Sequence, residues 1–146
     1  MKNCEKMVFL TSSPDASFQV DGEWVTGPFT EKNGFLKRFR EACPPHPRVL
    51  MITATPDEPE KNKEMNEYFA RVFAASNMEP QAMRLLDRGT AGRAGEWLAD
   101  SDVVILGGGH VPTQNRFFRR IKLKERIQGY EGVVMGISAG TMNCAD

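Results

Sequence analysis

The chain has 146 residues, and its 19 lysines and arginines balance its 19 aspartates and glutamates, so the formal net charge at pH 7 is zero. This length suits a single domain, residues 1–146, that can bury a sizeable core. A balanced charge gives no reason to expect nucleic acid or an anionic membrane as a partner, and a small molecule is the expected partner.

Cysteine content and apolar runs predict the compartment. Cys4, Cys43 and Cys144 are odd in number and widely spaced, which fits neither a disulfide framework nor a zinc site, so no metal is expected. No run approaches the ~18 apolar residues of a membrane span, and the first residues do not have the pattern of a signal peptide. A reducing cytoplasm is the predicted location.

Strand and helix patterns alternate along the chain. In order, they predict a strand at Lys6–Thr11, a β-hairpin around Asp21-Gly22, a helix through Phe35–Cys43, a strand at Arg48–Ala54, a helix through Met65–Phe73, a strand at Gln81–Leu86, a helix at Ala91–Ala99, a strand at Asp102–Leu106, a helix at Thr113–Ile127 and a strand at Gly132–Ile137. Such alternation predicts a three-layer, doubly wound parallel sheet covered by helices on both faces. The small N-terminal hairpin is expected to cover a sheet edge or the rim of the site.

The last predicted strand runs into a G-x-S-x-G pentapeptide, residues 136–140. This pattern is typical of a nucleophile elbow, in which a sharp strand-to-helix turn exposes the serine hydroxyl at the carboxyl edge of a sheet. Ser138 is then the nucleophile of an acyl transfer, and the amide of Ala139 faces the developing oxyanion. The structural alternative is a glycine-rich turn with an ordinary serine cap.

A second motif follows the fourth strand, where Gly107-Gly108-Gly109 precedes His110. Consecutive glycines let backbone amides approach a ligand, so Gly108 or Gly109 is predicted as the second oxyanion donor. The segment lacks the later glycine of a dinucleotide fingerprint and the Lys-Ser or Lys-Thr of a phosphate-binding loop. The polar residues that open the next helix either grip a substrate carboxylate or cap that helix: Thr113, Gln114 and Asn115.

Together, L-G-G-G-H-V-P-T-Q-N and G-I-S-A-G resemble the serine peptidase family of aspartyl dipeptidase (peptidase E) and cyanophycinase. The resemblance implies a flavodoxin-like fold related to class I glutamine amidotransferases, and peptide hydrolysis without a cofactor. It implies Ser138 as nucleophile, with Gly108 and Ala139 as oxyanion donors. For the dipeptidase branch it implies small peptide substrates with an N-terminal aspartate.

The chain departs from this family in its catalytic base. Family members carry the catalytic histidine and its acidic partner after the nucleophile, whereas this chain ends at Asp146, eight residues past Ser138. Both residues are therefore expected beyond Asp146, and the domain is expected to lack its C-terminal part. The sheet edge left open would favour a homodimer or aggregation. Within the chain, His46 is expected at the surface, and His110 is predicted to bind substrate rather than to act as base.

Two other functions stay open. One is a non-catalytic α/β module that binds a small acidic ligand, and the other is a class I glutamine amidotransferase-like protein, which would need cysteine in place of Ser138. Charged residues elsewhere have ordinary explanations. Asp57, Glu58 and Glu60 open a helix, where the dipole favours them. A basic cluster is interpreted as an exposed helix face, although one of its arginines could pair with an acidic substrate: Arg116, Arg119, Arg120, Lys122, Lys124 and Arg126.

Overall fold

Strands and helices alternate in the computed structural model, which describes residues 7–11, 17–21, 23–26, 28–29, 34–53, 56–107, 111–130 and 132–137. The strands are β1 (Met7–Thr11), β2 (Ser17–Val20), β3 (Glu23–Thr26), β4 (Arg48–Ile52), β5 (Ala82–Leu86), β6 (Val103–Leu106) and β7 (Val133–Ile137). The helices are α1 (Phe35–Ala42), α2 (Pro59–Ala75), α3 (Ala94–Ala99), α4 (Val111–Arg120) and α5 (Leu123–Gln128), with a 3-10 helix at Arg88–Arg93.

Five strands form one parallel sheet in the order β1-β7-β6-β4-β5. Counted from β4 onward, four of them follow the order 2-1-3-4 of a flavodoxin-like sheet. The predicted doubly wound α/β fold is therefore confirmed. β1 pairs in parallel with β7, on the side of β7 opposite to β6. The outer strands of the described sheet are therefore β1 and β5.

The predicted hairpin is present as a separate two-stranded sheet. β2 and β3 are antiparallel, with Ser17 opposite Thr26 and Val20 opposite Glu23. Asp21 in the connecting loop has φ 52, the left-handed conformation that a two-residue hairpin turn of this kind requires. β3 lies close to α2, so the hairpin sits beside a helical layer.

Three helical segments differ from their predicted extents, and one of them is α2, which begins at Pro59 rather than at Met65. The predicted helix at Thr113–Ile127 is two helices, because Lys122 takes a left-handed conformation with φ 54 at the start of α5. The segment at Ala91–Ala99 begins as a 3-10 helix, in which the Asp87 side chain accepts a hydrogen bond from the Thr90 amide at 3.1 Å. These short-range breaks depend on local backbone bonds that apolar spacing does not reveal.

The core lies on both faces of the sheet because alternate residues of each buried strand point to opposite sides. On one face, Met51 and Ile105 belong to a cluster with the phenylalanines of α1 and α2. On the other face, Leu50 and Val104 belong to a cluster with the apolar residues of α3, α4 and α5. This burial on both faces explains why the inner strands β6 and β7 are continuous apolar runs rather than alternating patterns.

A phenylalanine cluster fills the space between α1 and α2. The rings of Phe39 and Phe73 each lie 5.2 Å from the ring of Phe29, both in edge-to-face arrangement. The backbone N–H of Phe29 donates to the Ser76 hydroxyl at 3.0 Å, and that hydroxyl donates to the Val72 carbonyl at 2.8 Å. Ser76 thus links the segment carrying Phe29 to the end of α2.

An ionic network ties strands together at the amino edge of the sheet. The guanidinium of Arg48 donates two hydrogen bonds of 3.1 Å to Asp102, whose carboxylate also accepts from the Arg48 amide at 2.9 Å. Asp100 bridges Arg48 and Arg84, at 2.8 Å from each. Burial raises the pKa of the Asp102 carboxyl, but the hydrogen bonds from Arg48 and its charge outweigh burial and leave the pKa below its ordinary value.

Asp102→Asn is expected to lower the free energy of unfolding by about 1–2 kcal/mol at pH 7, because the bidentate bond to Arg48 is lost. A carboxyl with a lowered folded-state pKa stabilises the protein above its unfolded pKa, and this contribution is lost as pH falls through the folded value. The difference between wild type and variant should therefore shrink below about pH 4. Urea denaturation between pH 3 and pH 7 measures it. Asp57→Asn is the comparison, since its ion pair with Arg88 is exposed to solvent and should give a smaller difference over the same pH range. A difference that does not change with pH would contradict the assignment.

Gly132 is required by a close approach of the chain to itself. A Cβ at this position would lie 2.7 Å from the backbone oxygen of Asp102 and would overlap the hydroxyl of Tyr130. Both neighbours are fixed, since the Asp102 carbonyl accepts from the Val133 amide at 3.0 Å and the Tyr130 hydroxyl donates to the Ser101 carbonyl at 3.0 Å. No side chain fits without moving this backbone.

Gly132→Ala is accordingly expected to lower the free energy of unfolding by about 1–3 kcal/mol through overpacking. The matched control is Gly92→Ala, since a Cβ at Gly92 meets nothing within 4 Å and should leave stability unchanged or slightly raised. Urea denaturation of the two variants beside wild type measures both effects. Equal stabilities for the two variants would show that the backbone at residue 132 can move at little cost.

Candidate active site

The topology predicts a ligand-binding crevice at the carboxyl edge of the sheet. The chain runs outward from β4 to β5 and then returns across β4 to β6 and β7, so the switch point lies between β4 and β6. Ligands of open α/β sheets bind outside the carboxyl ends of the strands at such a point. In the strand register, Ile52 of β4 is opposite Leu106 of β6, and Leu106 is opposite Gly136 of β7. The segments that follow these three strands therefore leave the sheet at one edge, side by side.

Several predicted site residues fall outside the described residues: Ser138, Ala139, Gly108, Gly109 and His110. Their roles remain predictions. The strands that lead into them are described, since β7 ends at Ile137, directly before Ser138 in the sequence, and β6 ends at Leu106. These two strands are hydrogen-bonded neighbours.

The end of β6 is fixed by a buried glutamine. The N–H of Gly107, one residue beyond the strand, donates to the Ile52 carbonyl of β4 at 3.0 Å. The Gly107 carbonyl accepts a 2.5 Å hydrogen bond from Nε2 of Gln114 in α4. Gln114 has no exposed surface, whereas Thr113 and Asn115 beside it are partly exposed. Of the three polar residues proposed to bind substrate, Gln114 is thus directed at the protein backbone.

The end of β4 carries a buried polar pair that the sequence did not indicate as part of the site. The Thr53 hydroxyl donates to Oδ1 of Asn62 at 2.6 Å, and both residues are buried. Asn62 lies on the buried face of α2, in line with Phe69 and Phe73, while Met65 of the predicted apolar stripe is exposed. A polar residue at helical spacing from the apolar stripe was the available signal, because a buried amide needs a hydrogen-bond partner.

An ion pair joins the segments that follow β4 and β5 at the carboxyl edge of the sheet. Arg88 donates two hydrogen bonds to the carboxylate of Asp57, that between Nη2 and Oδ2 measuring 2.9 Å. The hydrogen bond from Arg88, followed by the charges of Arg88 and Arg120, lowers the pKa of the Asp57 carboxyl despite some desolvation. Asp57 is therefore a paired, ionised residue and a poor candidate for proton transfer at neutral pH.

The other charged residues and His46 lie at the helix start and at exposed positions, as the sequence predicts. Glu60 is in the first turn of α2, and Glu58 is its N-cap residue, with no side-chain capping bond, which fits the dipole explanation. All six members of the basic cluster are exposed. His46 is exposed, with Nδ1 2.9 Å from the Glu79 carbonyl oxygen. It precedes β4 at the amino edge of the sheet, far from the end that carries the crevice.

The described residues offer few other reactive groups. Burial, and to a smaller extent the charge of Asp102, raises the pKa of the Cys43 thiol to about 12, so the thiol is protonated at neutral pH. Within the described ranges, no three histidine, cysteine, aspartate or glutamate side chains are grouped to hold a metal ion. In the same ranges, no helix has the length and apolar character needed to cross a membrane.

The chain matches no protein family model and no curated protein. Among solved structures it is similar to a crystal structure of a Listeria monocytogenes EGD-e protein with the provisional name peptidase E, at a TM-score of 0.59 and 18% sequence identity. The likeness covers 92% of this chain and 59% of that one, so the chain spans about three fifths of that protein's length. At this identity the likeness shows the fold alone, and the fold is peptidase E-like.

Proposed function

We propose that this chain is the nucleophile-bearing part of a serine peptidase that hydrolyses small peptides, among them peptides with an N-terminal aspartate. The observation that carries the proposal is the pairing of β6 and β7, with Leu106 level with Gly136. The triple-glycine segment and the G-x-S-x-G segment therefore start from adjacent strands at one sheet edge, which is the arrangement that an oxyanion hole needs.

In the proposed reaction, the hydroxyl oxygen of Ser138 attacks the carbonyl carbon of the scissile peptide bond. The amides of Ala139 and of Gly108 or Gly109 donate to the oxyanion, and the leaving amine departs with the proton taken from serine. Water then hydrolyses the acyl-enzyme and regenerates Ser138. The histidine that moves these protons is proposed to follow Asp146, with His110, Thr113 and Asn115 contacting substrate. A homodimer and a cytoplasmic location remain predictions.

Labelling with a fluorophosphonate tests the proposal on protein that also includes the histidine proposed to follow Asp146, because only a serine activated by a base displaces fluoride and keeps the phosphonyl group. We expect one adduct per chain, mapped by peptide mass spectrometry to Ser138, and no adduct on urea-unfolded protein. Adducts on other serines, or no adduct on protein that circular dichroism shows to be folded, would contradict a peptidase. Saturable binding of aspartate without labelling would instead support the non-catalytic module.

A further inference from the structure

The hydrogen bond between Gln114 and Gly107 suggests a role that differs from substrate binding. We propose that Gln114 is a positioning residue, which sets the direction of an oxyanion-hole amide by holding the Gly107 carbonyl. This inference rests on the proposed function, since an oxyanion hole has a purpose only if Ser138 is a nucleophile. Gln114 itself touches neither substrate nor the reacting atoms.

Gln114 lies on the buried face of α4. It is one helical turn from Phe117 and Phe118 and two turns from Ile121, and all three are buried. An apolar residue would suit that stripe, because a buried amide costs free energy unless it is hydrogen-bonded. Its Nε2 reaches the Gly107 carbonyl at 2.5 Å. With no exposed surface, the side chain has no access to a peptide in the crevice.

The bond acts on the peptide unit that joins Gly107 to Gly108. A peptide unit is planar and trans, so its carbonyl oxygen and its N–H point in opposite directions. Holding the Gly107 carbonyl toward Gln114 therefore also fixes the plane of the peptide unit that this carbonyl belongs to. The Gly107 N–H is bonded to Ile52 of β4, so the residue before this peptide unit is fixed as well.

A fixed peptide plane matters at this position because three glycines in succession allow many backbone conformations. An oxyanion hole works by presenting donors that are already aimed at the developing charge, and loss of one donor costs roughly a hundredfold to a thousandfold in rate. A peptide plane that can rotate would direct its N–H at the oxyanion for only part of the time. We therefore expect Gln114 to contribute to the maximal rate rather than to affinity.

The test compares Gln114→Met, which keeps the length and volume of the side chain without a donor, with Ser76→Ala. Ser76 is also buried and hydrogen-bonded, but it lies at the end of α2, at the amino edge of the sheet. For fluorophosphonate labelling of protein that includes the proposed histidine, Gln114→Met should lower the maximal rate constant about tenfold to a hundredfold, with the half-saturating concentration unchanged. Ser76→Ala should change neither. A raised half-saturating concentration at an unchanged maximal rate would identify Gln114 as a substrate contact and overturn the inference.

A second measurement does not depend on activity. In protein labelled with ¹⁵N-glycine, the Gly108 amide resonance should shift in Gln114→Met and stay in place in Ser76→Ala. If wild type is not labelled at Ser138, the proposed function fails, while this resonance still tests the role of Gln114. An unchanged Gly108 resonance in a folded Gln114→Met variant would overturn the inference.

Gln114→Glu keeps the test decisive if Gln114→Met does not fold. A neutral carboxylic acid can donate the same bond to the Gly107 carbonyl, whereas an ionised carboxylate cannot. Position 114 has no exposed surface, and burial raises the pKa of a carboxyl above its ordinary value, so the introduced acid should still be neutral in mildly acidic solution. The Gly108 resonance of this variant is therefore expected near its wild-type position at pH 5 and should move away from it as the pH rises and the carboxyl ionises. If the Gly108 resonance of Gln114→Glu changed with pH no more than that of wild type, the inference would be contradicted.

Discussion

In protein that also includes the histidine proposed to follow Asp146, the Ser138→Ala variant is expected to release aspartate from aspartyl dipeptides at least about a thousandfold more slowly than the unmodified sequence, because no acyl-enzyme can form without the hydroxyl. The measurement is amine release from aspartyl dipeptides at saturating concentration. Asparaginyl dipeptides of the same length serve as a second substrate set, and we expect slower hydrolysis of these by wild type. The residual rate of the variant reports the catalysis left to binding and oxyanion donors.

The matched control for this result is Ser101→Ala. The Ser101 hydroxyl donates to the Trp97 carbonyl at 2.5 Å, and Ser101 directly precedes Asp102 at the amino edge of the sheet. This variant should keep the wild-type rate because the crevice is at the other edge. If Ser138→Ala retained a tenth or more of the wild-type rate, Ser138 could not be the nucleophile.

Phe73→Ala is expected to produce the largest loss of stability, about 3–5 kcal/mol in the free energy of unfolding. Phe73 has no exposed surface, and its ring lies 5.2 Å from that of Phe29 and 5.8 Å from that of Phe39. Truncation leaves a cavity that two other rings line, and rings fixed by several neighbours cannot close it. Such a loss is a large part of the 5–15 kcal/mol typical of a domain.

Urea denaturation monitored by circular dichroism measures this change. Met65→Ala in the same helix is the control, because Met65 is 38% exposed and its truncation should change stability by less than about 0.5 kcal/mol. A loss below about 1 kcal/mol for Phe73→Ala would mean that α1 and α2 close over the cavity. The site should be little affected in either variant, since both residues lie away from the carboxyl ends of β6 and β7.

Much of the fold could be predicted because most strands of the parallel sheet are short, largely apolar runs ended by polar or small residues, and a sheet buried on both faces favours that pattern. The position of β1 beside β7 could not be predicted in this way. Its pairing joins Met7 to Val133, and an apolar run carries no information about which distant strand it will meet. The break at Lys122 escaped prediction for a different reason, because lysine seldom takes a left-handed conformation and gave no signal of one.

The candidate site, too, could be predicted from the sequence only in part. Ser138 and the glycines at residues 107–109 are identifiable because elbows and oxyanion corners need residues without a Cβ at fixed spacings. The direction of Gln114 depends instead on how α4 docks on the sheet, so the sequence allowed both a substrate contact and a helix cap. Thr53 and Asn62 lie nine residues apart, and their contact requires α2 to pack over the end of β4.

The pairing of β1 with β7 also has a consequence for synthesis on the ribosome. β1 emerges first among the described strands, while the only described strand that pairs with it emerges last. The backbone N–H and C=O groups of β1 therefore stay unpaired, and accessible to other chains, until β7, the last described strand, has been translated. Parallel pairings of such long range form slowly and leave the nascent chain open to aggregation. Binding of a chaperone to the first strand would protect the chain during this interval.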